Sequence, residues 1–291
     1  MPLLHGRLAD LHPRRFFLET WREVQRECVA EQEAGDERRD APRPGRKPRR
    51  RSPGTVEVSH RPLLIFTAAA VFLTLMEYFG GRDTFDRLFP ELAADRRTVE
   101  FHRLAFWAAA RMTGYGLLPA LLVVLIPGER LADYGLRLRG AGEHLWIYVL
   151  LFLAVLPLIV AVSFTADFQT YYPFLRRLPR SEWTWRVLLA WEVLYAGQFV
   201  ALEFFFRGFL LQSLRRQLGV YAIFAAVVPY CMIHFGKPFL EVNAAIVAGI
   251  VLGTLALRTK SIWCGCLVHV SVAVTMDLAS LIQRGDLPTT W

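Results

Sequence analysis

Long runs without a charged side chain constrain this 291-residue chain more than any other feature of its sequence. The clearest run, residues 145–166, holds 22 consecutive uncharged residues, and residues 62–76 and 112–127 are similar. Because roughly 20 apolar residues in a helix cross the hydrocarbon core of a bilayer, each run predicts a transmembrane helix. Backbone polar groups in lipid must be bonded within the segment, which favours helices over other structures.

Four further apolar segments follow, at about 187–214, 218–235, 241–257 and 261–282. The sequence therefore predicts an all-α, polytopic membrane protein with about seven transmembrane helices. The segment 187–214 is long enough to break in two, so eight helices remain an alternative. Hydrophobic residues make up 54% of the chain while the net charge is +8, which fits apolar segments in lipid flanked by basic ones.

Residues 1–60 have a different character. They hold 13 Arg/Lys and 10 Asp/Glu, and the run RRDAPRPGRKPRRR at 38–51 contains three prolines and a glycine. We expect a basic, largely disordered tail over 1–60, with a short amphipathic helix possible within 1–35, and we expect the membrane helices to fold without it. No nucleic-acid recognition fold accompanies the charge, so nucleic acid is not an expected partner.

The excess of arginine before the first apolar run predicts the orientation of the chain. Cytoplasmic segments of membrane proteins are enriched in Lys and Arg, which places the N-terminus in the cytoplasm. The loop at 167–186 then falls on the outer side, although it carries several arginines. They are Arg176, Arg177, Arg180 and Arg186. These four arginines lie on the side of the membrane where few basic residues are expected, so their presence needs another explanation.

Most ionisable residues within the predicted spans lie in residues 186–285. The N-terminal membrane helices, within residues 61–185, carry few ionisable residues inside their spans apart from Arg111. Ionisable side chains are costly in a bilayer, so each one is a candidate functional residue. The set consists of Glu192, Glu203, Arg207, His234, Glu241, His269 and Asp277.

Glu203 and Arg207 are four residues apart and share one helical face. A structural ion pair explains these two residues equally well. His234 and His269 lie on neighbouring predicted spans and favour a catalytic site over a structural ion pair. A carboxylate and neutral imidazoles together can bind and deprotonate water, or hold a metal ion that does so.

A zinc site is an alternative use of the same histidines. Cys231-x-x-His234 and Cys266-x-x-His269 would supply four tetrahedral ligands. Positions three apart on a straight helix diverge by about 60°, however, and cysteine is also a common apolar residue in helices. The cofactor therefore stays undetermined, with His234 and His269 as ligands if a metal such as zinc is present.

Three sequence motifs resemble those of a known family. EFFFRG at 203–208, YCMIHFGKP at 230–238 and His269 in SIWCGCLVH match, in order and spacing, motifs of the CAAX prenyl endopeptidase and bacteriocin-processing intramembrane proteases. The resemblance covers about 190–280. It implies that residues 186–285 form a conical helical protease core with a cavity open to the membrane.

The resemblance also implies roles for individual residues. The first family motif is Glu-Glu-x-x-x-Arg, which aligns Glu203 with the second glutamate and Leu202 with the first. By analogy, Glu203 and His234 would activate water, and His269 would donate a hydrogen bond to the developing oxyanion.

The positions of other charged residues in the spans suggest supporting roles. Arg207 would orient Glu203, and Glu241 is an alternative base. Asp277 and Glu192 are further supporting candidates. The family places a polar residue four positions after the last histidine, where this chain has Ala273.

The leading functional hypothesis is an intramembrane endopeptidase that cleaves a membrane-associated peptide or protein tail in a bacterial plasma membrane. The family name alone does not establish a prenylated substrate. Because Leu202 and Ala273 replace polar motif positions, one alternative is a non-proteolytic scaffold that binds a peptide or lipid. A transporter is a third hypothesis, but it would be favoured by an inverted repeat, and we find none between the two halves of the sequence.

Overall fold

A computed structural model describes residues 12, 14–40, 60–138 and 145–291. Within those residues the regular structure is entirely helical, which confirms the predicted fold class. The α-helices are, in chain order, α1 (Thr20–Asp40), α2 (His60–Phe79), α3 (Arg82–Leu88), α4 (Pro90–Ala94), α5 (Val99–Met112), α6 (Leu118–Leu125), α7 (Leu145–Val162), α8 (Ala166–Tyr171), α9 (Trp185–Glu203), α10 (Leu211–Leu218), α11 (Tyr221–Met232), α12 (Phe239–Thr259) and α13 (Trp263–Arg284).

Six helices of the described residues are long and apolar enough to cross a membrane. They are α2, α5 continued into α6, α7, α9 continued into α10, α12 and α13. The prediction of about seven spans is therefore corrected. The segment predicted at 218–235 forms only the 12-residue helix α11, which is about 18 Å long and too short for a bilayer core of about 30 Å.

Glycines explain why α11 is short. Gly219 precedes the helix with φ +56°, and Gly236 lies in the turn beyond it with φ +88°. Such backbone angles suit glycine and interrupt a helix at both places. The helix α11 then packs against α12 as an antiparallel hairpin, where Gly249 and Gly253 allow close approach to α11.

The longest helix does not break in two. Residues Trp185–Leu218 form one helix of 34 residues, so the break that would have given an eighth span does not occur. Its middle is a π-helical segment, Phe204–Leu210, which starts directly after Glu203. A second π-helical segment, Thr113–Leu117, joins α5 to α6 and packs against the first.

One end of the bundle is organised around Glu129, and we call it the Glu129 end. Glu129 is ion-paired with Arg61 at the start of α2 and with Arg216 of α10 at 3.2 Å. The hydroxyl of Tyr134 donates to Glu129 over 3.0 Å. The helix α13 begins at this end, where the Ile262 amide donates to the Gly135 carbonyl over 3.0 Å.

The opposite end, which we call the Arg176 end, carries the loop between α8 and α9. The Phe174 amide donates to Asp277 of α13 over 3.1 Å, which fixes this loop against the bundle. Residues beyond α13 return to the start of α9, where the Trp185 amide donates to the Thr290 carbonyl over 2.9 Å.

The N-terminal helix α1 packs on the bundle, in the part of the chain where the sequence predicted a basic, largely disordered tail with a short amphipathic helix possible within 1–35. Val24 and Cys28 belong to the main hydrophobic core. The Trp21 indole donates to Thr254 of α12 over 3.1 Å, and Glu27 pairs with Lys260. Residues 14–40 are thus part of the folded structure, because apolar side chains along α1 find a complementary face. The rest of the predicted tail, including most of the basic run, lies outside the described residues.

Candidate active site

A buried carboxylate with two cationic or polar partners lies inside the helical bundle. Oε1 of Glu203 is 3.2 Å from Nη1 of Arg207 and 2.8 Å from Nδ1 of His269. The exposed fractions of these side chains are 0% for Glu203, 3% for Arg207 and 11% for His269. The pairing offsets part of the cost of burying these charges, although Oε2 of Glu203 and both Nη atoms of Arg207 have no hydrogen-bond partner among the described residues.

The π-helical segment positions two of these residues. Glu203 is the last residue of α9, and Arg207 lies inside Phe204–Leu210. The predicted contact between the pair is present, but it crosses a wider helical turn than the α-helix assumed from the sequence. π-Helical turns are rare and occur often at functional sites.

Aromatic rings enclose the cluster. The guanidinium of Arg207 lies 4.1 Å from the ring centroid of Tyr230, a cation–π distance. The ring of Phe199 is 4.4 Å from the ring of His269. A cavity of about 10 Å³ adjoins Arg207 and Tyr230, which is about the space of one water molecule.

His234 borders the same cluster but does not bond to Glu203. Its ring centroid is 4.8 Å from that of Tyr230, and its Nδ1 is 2.7 Å from the carbonyl oxygen of Tyr230. The ring of Tyr230 is also 6.3 Å from the ring of His269. The structure therefore pairs Glu203 with His269, where the sequence analysis paired it with His234.

Gly265 is a neighbour of Glu203 that the sequence analysis did not select. A Cβ atom at position 265 would lie 3.1 Å from Oε2 of Glu203, which is tighter than most real contacts. The only sequence signal was a glycine between Cys264 and Cys266 on a predicted helix. Phe199 was missed for a similar reason, because an aromatic residue on an apolar helix is not distinctive.

The remaining candidates lie elsewhere. Glu241 pairs with Lys237 at 2.7 Å and accepts a hydrogen bond from the Tyr172 hydroxyl at 2.9 Å. Asp277 accepts from the Trp191 indole at 3.0 Å. Neither oxygen of Glu192 has a hydrogen-bond partner within the part of the chain that the structure describes.

The positions that depart from the family motifs are apolar and buried. Leu202 and Ala273 are each 4% exposed and belong to the main hydrophobic core. Neither has a side chain that could replace a missing acid, base or hydrogen-bond donor.

No group of three or more His, Cys, Asp or Glu in the described residues could hold a metal ion. Nδ1 of His234 and of His269 are already engaged by Tyr230 and Glu203, and Cys231 and Cys266 are free thiols. Among the described residues, the two Cys-x-x-His pairs considered in the sequence analysis are therefore not grouped as four ligands.

Six apolar helices and a buried Glu–Arg–His cluster define a polytopic, all-α integral membrane protein with a candidate hydrolytic site. Residues 182–275 match the family model described as type II CAAX prenyl endopeptidase Rce1-like, which confirms the resemblance found in the sequence. That family is one of intramembrane CAAX proteases. No curated protein and no solved structure matches the chain.

Proposed function

We propose that this protein is an intramembrane endopeptidase whose reaction centre is the Glu203–His269 pair, with Arg207 as the positioning cation. The observation that carries the proposal is the 2.8 Å contact between Nδ1 of His269 and Oε1 of Glu203 inside the membrane domain. The match of residues 182–275 to a protease family supports the same assignment.

The contact favours one tautomer of His269. Arg207 beside Glu203 favours the ionised carboxylate, which can only accept hydrogen bonds. Nδ1 of His269 must therefore carry the proton and donate, which leaves a lone pair on Nε2. A carboxylate that orients a histidine in this way is the arrangement that serves hydrolysis by serine proteases.

Proton transfer then follows from this arrangement. Nε2 of His269 takes a proton from a water molecule as its oxygen bonds to the scissile carbonyl carbon. Glu203 stabilises the resulting imidazolium. The imidazolium returns its proton to the amide nitrogen as the carbon–nitrogen bond breaks, so protons and electrons balance.

This assignment changes one role expected from the family. Neutral His269 has no second N–H group, so it cannot donate to an oxyanion before it has taken the proton. His234 has the same tautomer, since its Nδ1 faces the Tyr230 carbonyl at 2.7 Å. We assign His234 to the orientation of the attacking water through Nε2.

The substrate class is a membrane-associated peptide or protein tail. The site lies within apolar helices, and the matched family is named for CAAX prenyl endopeptidases. Two probes distinguish a prenylated substrate from an unprenylated one. The first is a fluorescence-quenched farnesylated peptide ending in a CAAX sequence, and the second is an unprenylated peptide with one apolar helix.

The test uses the full chain purified in detergent. We expect cleavage of at least one probe, and we expect Glu203→Gln to reduce its rate at least 100-fold, as typical for loss of acid–base chemistry. His269→Gln should have a similar effect. Glu241→Gln is the matched control, because Glu241 pairs with Lys237 outside the cluster. It should retain activity within about threefold.

A non-proteolytic scaffold is the second candidate, and the apolar residues Leu202 and Ala273 favour it. If the folded parent protein cleaves neither probe but binds the apolar peptide, the scaffold is supported and the peptidase proposal is wrong. If Glu241→Gln is inactive while Glu203→Gln is active, the base is Glu241 instead.

A further inference from the structure

A cavity at the Arg176 end is separate from the candidate active site. Its volume is about 330 Å³, within the range of ligand pockets. The loop between α8 and α9 forms one wall, and the residues that follow α13 form the other, including Asp286, Leu287 and Pro288. His269 and Arg284 are 15 residues apart on α13, so the two sites are about 22 Å apart along that helix.

Three arginines and one carboxylate line this cavity. Arg180 is ion-paired with Asp286. Arg284 donates to the Tyr172 carbonyl over 2.9 Å and to the Gln169 side chain over 2.7 Å. Arg176 donates to the Tyr171 carbonyl and lies 5.4 Å from the Tyr171 ring.

Arg176 and Arg284 therefore contribute positive charge that no carboxylate in the described residues neutralises by an ion pair. Burial, and then the neighbouring charge of Arg177, lower the pKa of the Arg176 guanidinium. Neutral carbonyl partners hold both side chains in place without cancelling their charge. An anion in the cavity would relieve this repulsion.

The depth of the cavity agrees with a headgroup region. Arg284 ends a 22-residue apolar helix, which is about 33 Å long and spans the hydrocarbon core. Guanidinium groups at such a position bind phosphate oxygens in bidentate geometry better than ammonium groups do.

We propose that this cavity binds a phosphate oxyanion, from an anionic lipid headgroup or from free phosphate, through Arg176 and Arg284. The proposal does not depend on peptidase activity. It also explains why arginines occur in the loop at 167–186, against the expected charge asymmetry of a membrane protein. Two of its arginines, Arg176 and Arg180, line a binding site at this end of the bundle.

The test measures binding to the full, delipidated chain in detergent at constant ionic strength. The probes are dihexanoyl phosphatidylglycerol and sodium phosphate, titrated by calorimetry. We expect saturable binding of at least one probe, and at least tenfold weaker affinity, about 1.4 kcal/mol, in Arg176→Gln and in Arg284→Gln. Arg177→Gln is the matched control, because Arg177 is adjacent and exposed but does not line the cavity.

Arg176→Lys separates charge from packing, since it keeps the charge and should retain more affinity than Arg176→Gln. Tighter binding of the lipid than of phosphate identifies a headgroup site, and equal binding identifies a free-oxyanion site. Both results support the proposal. Absence of saturable binding for both probes, or equal weakening by Arg177→Gln and Arg176→Gln, would overturn it.

Discussion

At the residue scale, Glu203 has two partners that serve different purposes. Arg207 offsets the cost of burying its charge, and His269 links it to the more exposed side of the cluster. Removing one member of a buried ion pair typically costs about 3–5 kcal/mol of stability. A substitution at Arg207 would therefore lower stability as well as activity, so a loss of cleavage would not identify a catalytic role. Glu203→Gln, which keeps the shape of the side chain, is the better test of function.

Gly265 provides a test of how closely the carboxylate is packed. Gly265→Ala places a methyl group about 3.1 Å from Oε2 of Glu203, so the carboxylate must move by a few tenths of an ångström. A displacement of this kind should lower kcat about tenfold or more with little change in KM, because it disturbs alignment rather than substrate binding.

Peptide cleavage by purified Gly265→Ala, with its melting temperature, checks this prediction. Gly81→Ala is the control, because a Cβ atom at position 81 meets nothing within 4 Å. Unchanged kcat in a folded Gly265→Ala protein would show that the position of Glu203 tolerates such a shift.

At the element scale, the segment after α6 joins helices that are distant in sequence. Glu129 connects Arg61 of α2 with Arg216 of α10, and Tyr134 donates to it. Burial is the largest single effect and opposes ionisation of Glu129, but the hydrogen bond and charge of Arg61, the Tyr134 hydroxyl and the charge of Arg216 together outweigh it and lower the pKa of Glu129 below its usual value. This segment thus holds α2 and α10 together at the Glu129 end.

Glu129→Gln should lower the free energy of unfolding at neutral pH by about 1.5–3 kcal/mol, the range for hydrogen bonds to charged groups. Because the folded-state pKa of Glu129 is depressed, its contribution is full above the unfolded-state pKa and is lost as pH falls through the folded-state value. The parent protein should therefore lose stability on acidification more steeply than Glu129→Gln.

Thermal unfolding in detergent across a pH series measures this difference. Asp133→Asn is the control, because Asp133 pairs with Arg137 at the protein surface, where ion pairs contribute little. Parallel pH curves for the parent protein and Glu129→Gln would contradict the assigned role.

At the scale of the whole molecule, α1 is part of the folded bundle. Trp21 bonds to Thr254 and its ring lies 5.6 Å from that of Phe224. Trp21→Ala should lower the free energy of unfolding by about 2–3 kcal/mol, somewhat less than a fully buried tryptophan would. Arg22→Ala, at a neighbouring exposed position, should change it by less than about 0.5 kcal/mol.

Chemical or thermal unfolding of the purified variants measures the effect. Deletion of residues 1–40 should likewise destabilise the protein while the helices after residue 60 remain folded. Equal stability of Trp21→Ala and the parent protein would show that α1 contributes little to the fold.

Orientation in the membrane is also a property of the whole chain. Both ends of the bundle carry arginines, so we propose that the basic residues of 38–51 decide which end faces the cytoplasm. Replacing Arg49, Arg50 and Arg51 with glutamine should produce a mixed population of orientations. Protease protection of an N-terminal tag in membrane vesicles measures it, and a single, unchanged orientation would show that other charges dominate.

The sequence by itself determined the all-α membrane class, the resemblance of residues 190–280 to a protease family and the contact between Glu203 and Arg207. These follow from local composition and from spacing along one helix. Apolar runs exceed the thickness of a bilayer, and residues four apart share a helical face.

Only the tertiary structure decided that Glu203 bonds to His269, which lies 66 residues further along the chain. The docking of α1 on the bundle and the cavity near Arg176 were likewise decided only by the tertiary structure. Each depends on contacts between segments far apart in the chain. Helical periodicity specifies which face of a helix a residue occupies, but packing of the whole bundle decides which other helix that face meets.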